Sequence, residues 1–142
     1  MTIPYQIIRI ETKQFAVFPE KFINTERVLV KSSYGFSPSE DLQTIGCRSV
    51  FNYIQNENLL LVTELLTFFA LAPEGVEEIK KKGVIPVDFL RYMATIAVGA
   101  ARGVIHTKTE GTVLNSIVLP PINLVEIIKQ DLDISGLTEE KK

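Results

Sequence analysis

Residues 59–71, LLLVTELLTFFAL, constrain this chain more than any other stretch. Apolar side chains fall on both parities of the run, so as a strand it has two apolar faces. Such a strand sits in the middle of a sheet or is covered on both sides. The polar QNEN at 55–58 is a tight turn, which makes residues 44–54 the other arm of a hairpin. That arm puts Ile45, Cys47, Phe51 and Tyr53 on one face. Upstream, residues 27–36 align Val28, Val30, Ser32, Tyr34 and Phe36. Residues 5–18 alternate over much of their length, with Gln6, Ile8, Ile10 and Thr12 on one side and Tyr5, Ile7, Arg9 and Glu11 on the other, until Pro19 stops the run. A connector at 20–26 carries Phe22 and Ile23, and SPSED at 37–41 is a turn by composition. Four strands are expected in the first half.

The second half has helical periodicity. Pro73 and Gly75 break the strand, and 76–82, VEEIKKK, suits one or two solvated turns. Residues 87–107 then place Asp88, Arg91, Thr95, Arg102 and His106 in one polar stripe. The remaining arc is apolar or small and wider than one sheet face needs. Gly99 and Gly103 lie one turn apart inside it, each costing about 1 kcal/mol relative to alanine. Part of the arc is therefore expected to meet a second subunit, with Met93, Ile96, Ala97, Ala100, Gly103 and Val104 as the interface candidates. Residues 108–119 read as a polar turn and an extended segment. Pro120-Pro121 forms a rigid elbow. Asn123 is a candidate N-cap with Glu126 as its capping-box partner. Ile122, Leu124, Ile127 and Ile128 give the helix that follows an apolar side. A helix of about ten residues is marginal alone, so it must lie on other structure. The expected fold class is α+β: a four-stranded antiparallel sheet, one long helix, an extended Pro-Pro elbow and a short C-terminal helix. One domain is expected over 1–132, with DISGLTEEKK, 133–142, as a charged, disordered tail.

Composition narrows the function. A length of 142 residues suits one domain. Fifteen Lys/Arg against seventeen Asp/Glu leave a net charge of −2, which gives no electrostatic reason for a nucleic-acid partner. No run of about 18 apolar residues calls for membrane insertion. Met1-Thr2-Ile3-Pro4-Tyr5 lacks the basic and apolar regions of a secretory signal, so a cytoplasmic location is expected. Cys47 is the single cysteine and cannot form an internal disulfide; a buried, inert thiol is its default role. His106, the single histidine, falls near a helix C-terminus and suits dipole compensation. There is no phosphate loop, no dinucleotide turn and no metal-ligand spacing. No cofactor, no metal and no catalytic residue is expected, and an enzyme reading is weak.

Three segments in order resemble SecB, the export-chaperone family: YQIIRIETKQFAVFPE (5–20), its opening strand; FLRYMATIAVGAARGVIHTKTEGTV (89–113), its long helix; and VLPPINLVEII (118–128), its elbow and final helix. In the last, Leu119, Pro121, Ile122, Asn123 and Leu124 occupy the matching places. The resemblance implies a cytoplasmic α+β homo-oligomer, dimer or tetramer, with sheets outside and long helices between dimers. It also implies binding of unfolded, pre-export polypeptides without ATP, with transfer in many members to the SecA motor. In that family the outer sheet face that docks the motor is acidic. The positions here are Gln14, Phe18 and Val62, two of them apolar, so motor docking is in doubt while fold and assembly are expected to hold.

The function expected is a holdase, protein-transport chaperone that binds unfolded polypeptide clients in apolar grooves. Phe22, Ile23, Phe36, Phe68, Ile122, Leu124 and Ile127 are the groove candidates. The alternative is an interaction module of the same fold dedicated to one partner, such as an antitoxin, with no SecA link.

Overall fold

A computed structural model describes residues 3–135. Strands β1 (Tyr5–Val17), β2 (Leu29–Pro38), β3 (Thr44–Gln55) and β4 (Asn58–Leu71) form one antiparallel sheet in the order β1-β4-β3-β2. The 59–71 run is therefore interior to the sheet. The tight turn is as expected too: Asn56 and Glu57 both take positive φ, 46° and 69°, the hairpin twist of a two-residue loop. Leu61, Leu65 and Phe69 face inward and are fully buried. Val62, Leu66 and Phe68 lie on the other face, shielded only by sheet neighbours such as Arg9, whose guanidinium sits 4.4 Å over the Phe68 ring. Within the described residues β4 is covered on one side, not two.

Two bulges in β1, at Ile7/Arg9 and Thr12/Gln14, overturn its expected simple alternation. Each inserts a residue and shifts the facing of those that follow. Ile7, opposite Phe69, and Ile10, opposite Thr67, both take the inner face, while Arg9, opposite Phe68, takes the outer one.

Helix α1 (Pro73–Lys82) begins earlier than the sequence suggests, because a proline in the first turn fits a helix start. It ends at Gly83, φ 74°, a left-handed cap that glycine adopts without a Cβ penalty. Helix α2 (Val87–Lys108) lies over β3 and β4. Its N-terminus is capped from afar: the Val87 N–H donates to Asp131 Oδ1 at 2.7 Å.

The C-terminal helix is shorter than expected. Helix α3 is the single turn Leu124–Ile127, and Asn123 makes no side-chain cap bond, so the capping box does not form. The expected tail boundary at 132/133 also moves. Strand β6 (Leu132–Asp133) pairs with β5 (Val84–Ile85), and Ile134 is buried with its N–H on Gly83 O. The alternation of Leu132 and Ile134 with Asp131 and Asp133 was the strand signal there. Residues 136–142 of the expected tail lie outside the described residues.

Candidate functional site

Between sheet and helices runs a continuous inner core in two clusters that meet at Tyr34 and Ile122. Phe22 and Ile122 pack against one cluster, Phe36 and Ile122 against the other, and Leu124 belongs to the latter's buried core. Ile23 and Ile127 stay exposed. These six groove candidates lie on the inner-face side of the fold. Phe68 does not join them; it occupies the opposite sheet face.

The 20–26 connector is placed by a residue that the sequence presents only as a turn flank. Gln55 is buried, accepts from the Ile23 N–H at 2.9 Å and donates to Ile23 O at 2.8 Å and Glu26 O at 3.0 Å. One side-chain amide thus serves an N–H and two carbonyls of the irregular connector, beside the turn bond from Glu26 N–H to Ile23 O.

The elbow is placed by two arginines from the polar stripe of α2. Arg102 Nε donates to Leu119 O at 2.6 Å and Nη2 to Pro120 O at 2.9 Å. Arg91 Nε donates to Ile128 O at 2.9 Å and Nη2 to Val125 O at 3.3 Å. Charge-assisted bonds of this kind are about twice as strong as neutral ones. The stripe therefore holds the C-terminal segment onto α2, while Asp88, Thr95 and His106 remain exposed.

Of the interface candidates, Met93 and Ala97 are wholly buried in this chain's own core and are not available to a second subunit. They sit at the helix angle that meets the sheet, and periodicity alone could not say which part of the arc did. Ile96, Ala100 and Val104 are half-buried and Gly103 exposed, with Tyr92 61 % exposed and Gly99 exposed on the same outward side. A Cβ built on Gly99 or Gly103 would meet nothing within 4 Å, so packing inside the protomer does not require either glycine.

The apolar side chains left open were partly missed by the sequence reading. Ile7, Ile8 and Ile10 on edge strand β1 are 47 %, 51 % and 49 % exposed, because contacts of α2 with that strand fall on either side of them, Phe89 with Tyr5 and Lys108 over Phe15. Beside them an open cleft of about 540 Å³ is lined by Ile3, Tyr5, Lys82, Asp88, Phe89 and Tyr92. Of the positions matched to motor docking, Gln14 and Val62 share the outer sheet face with Glu64, which is paired to Arg48 at 2.6 Å, and the Lys21 ammonium lies 5.1 Å over the Phe18 ring.

Titratable chemistry is sparse. Burial pushes the Cys47 thiol up to about 12, and burial likewise raises Tyr53 to about 12 although the Arg102 charge opposes it. Both groups are neutral when protonated. Their contribution is complete below about pH 9, the unfolded thiol value, and is lost as pH climbs through 12. Urea midpoints should hold up to about pH 9 and fall steadily above it; the Cys47→Ala variant should lose the part of the fall that begins between pH 9 and 10. Native Cys47 should also resist thiol reagents until the chain unfolds. Among the described residues no group of three or more His, Cys, Asp or Glu is placed to hold a metal, and no helix is long and apolar enough to cross a membrane.

This is an α+β protein: a four-stranded antiparallel sheet backed on one face by a long helix and a strapped elbow. No family model matches the chain, and no curated protein matches it. Among solved structures it is similar to a SecB-like chaperone of Mycobacterium tuberculosis in complex with a peptide from an antitoxin. Identity is 12 %, the match covers 84 % of this chain and 87 % of that one, and the TM-score is 0.38. A score of that size carries no function across, so the reading below rests on this chain's own surfaces.

Proposed function

We propose that this chain is an ATP-independent holdase that binds unfolded polypeptides on apolar surfaces, in the manner of the SecB family its sequence resembles, and that it works as a cytoplasmic homo-oligomer. The observation that carries the reading is the aliphatic surface left open after folding: Ile7, Ile8 and Ile10 together on one edge strand, and Ile23, Val118, Val125 and Ile127 on the connector and elbow. Contiguous exposed apolar surface marks interaction sites on soluble proteins. A holdase needs such area without precise polar matching, since each client side chain buried contributes about 1.5–3 kcal/mol whatever its neighbours. At an equal molar ratio to a denaturing test protein, the chain should slow aggregation without nucleotide. Unchanged aggregation would remove the proposal. A pull-down dominated by one protein, in place of a broad client set, would replace it with the dedicated-partner reading.

Two features support the assembly reading. Strand β1 is a sheet edge among the described residues and carries the three exposed isoleucines, beside the paired charges of Arg9, Glu11 and Lys13 and the two bulges that temper the edge. The outward side of α2, with Tyr92, Ile96, Gly99, Ala100 and Gly103, is smooth and has glycines that the protomer does not use. Gly103→Glu should leave helix content unchanged, because the site is open in the protomer, yet shift the light-scattering mass to a smaller species. An unchanged mass would take α2 out of the interface.

A further inference from the structure

We propose that residues 117–122 occupy, as an internal stand-in, the site that takes an extended client segment, and that Arg102 recognises the main chain of whichever segment lies there. The inference rests on the holdase reading and goes further by naming the site, its occupant and the recognition group.

Residues 117–122 belong to no helix and no strand. Over 117–120 their side chains alternate as those of a bound extended peptide do, and the alternation breaks at Pro121. Ile117, Leu119 and Ile122 turn inward onto the core, with Leu119 fully buried, while Val118, 62 % exposed, and the two prolines turn out. Little backbone pairing ties the segment down: Ile117 N–H bonds only back to Leu114 O within its own turn. Its attachment is Arg102, and the two atoms that Arg102 contacts are main-chain carbonyl oxygens, of Leu119 and Pro120. Any residue presents a carbonyl, so a guanidinium fork aimed at consecutive carbonyls reads extended backbone without reading sequence. That is the recognition a holdase requires.

The floor beneath the segment is supplied by other elements. Phe51, Tyr53, Val98, Ala101 and Ile105 form a continuous apolar bed from β3 and α2. Two fully buried hydroxyls on the inner face of β3, Ser49 Oγ and Tyr53 Oη, have no hydrogen-bond partner among the described residues. Tyr53 is close enough to Arg102 to feel its charge. The internal segment offers no N–H at 120 or 121, because both are proline. A client with ordinary residues there brings donors for such groups as well as carbonyls for Arg102. Tethering gives the stand-in an effective concentration in the millimolar range, enough to keep the bed covered when no client is present. A client that also engages Ile23 or Ile127 nearby has further contacts with which to displace it.

The test exploits the inert Cys47. A Val118→Cys chain can be labelled at position 118 alone with a spin probe, since the new thiol points outward and Cys47 is buried. A reduced, carboxymethylated protein that cannot refold serves as client, and its binding is followed separately by the anisotropy of a dye on the client. The probe's mobility should rise severalfold and saturate at the same client concentration as the anisotropy, while a probe at Lys31→Cys on the outer face stays unchanged. Client binding with an unchanged probe at 118 overturns this inference and leaves the holdase reading standing. An absence of client binding overturns both.

Discussion

Replacing Gln55 by leucine is expected to lower the unfolding free energy by about 2–4 kcal/mol, since each buried polar group left unpaired costs about 1–3 kcal/mol. Leucine is near glutamine in size, so the loss reports the hydrogen bonds and not a cavity. The Ile23 N–H and the Glu26 carbonyl depend on this amide, and the Ile23 carbonyl shares it with the Glu26 N–H. Because the connector then keeps only its own turn bonds and loses its tie to β3, the damage should extend beyond stability. Amide exchange should accelerate at 20–28 before the sheet is affected, and proteases should cut there first. A variant with an unchanged denaturation midpoint and a protected connector would show that Phe22 and Ile23 are held by packing alone.

The second large effect is expected at Arg102. Arg102→Met keeps most of the aliphatic stem and removes two charge-assisted bonds, a loss of about 2–4 kcal/mol. Leu119 is fully buried beneath that clamp, so release of its carbonyl also loosens its side chain from Phe51 and Tyr53. Limited proteolysis should open within 116–123, while α2 keeps its helix content. Arg102→Lys should recover only part, because an ammonium is a point donor and cannot span two consecutive carbonyls as the fork does. If the lysine variant matched the native chain, the planar geometry would be irrelevant and charge near the elbow would suffice.

Much of this architecture was legible because short-range periodicity encodes it. The apolar parity of 59–71 demanded an interior strand. The run Ile45, Cys47, Phe51, Tyr53 named the buried face of its partner, and QNEN set the turn between them. The long helix was visible for the same reason. The elements that periodicity misjudged are those stabilised by distant partners. Helix α3 ends after one turn as Arg91 takes the carbonyls of Val125 and Ile128. Residues 131–134 are drawn into the fold by Val87, by Gly83 and by pairing with β5, groups more than 40 positions away.

The candidate site was less legible than the fold. Of the groove candidates, Phe22, Phe36, Ile122 and Leu124 gather on the inner core while Phe68 lies on the opposite sheet face, because a strand apolar on both sides gives no clue to which side the helix will cover. Ile7 and Ile10 were read on opposite sides, since a bulge is a tertiary event with no two-residue signature. Arg91 and Arg102 read only as members of a polar stripe and are clamps.

The sequence by itself determined the four long strands, the long helix and the turns of the first half, because those follow from side-chain spacing and from the fixed φ of proline. Only the tertiary structure decided which apolar residues stay outside. Exposure depends on how far α2 reaches across the sheet, and that reach is set by packing between elements that no local window contains.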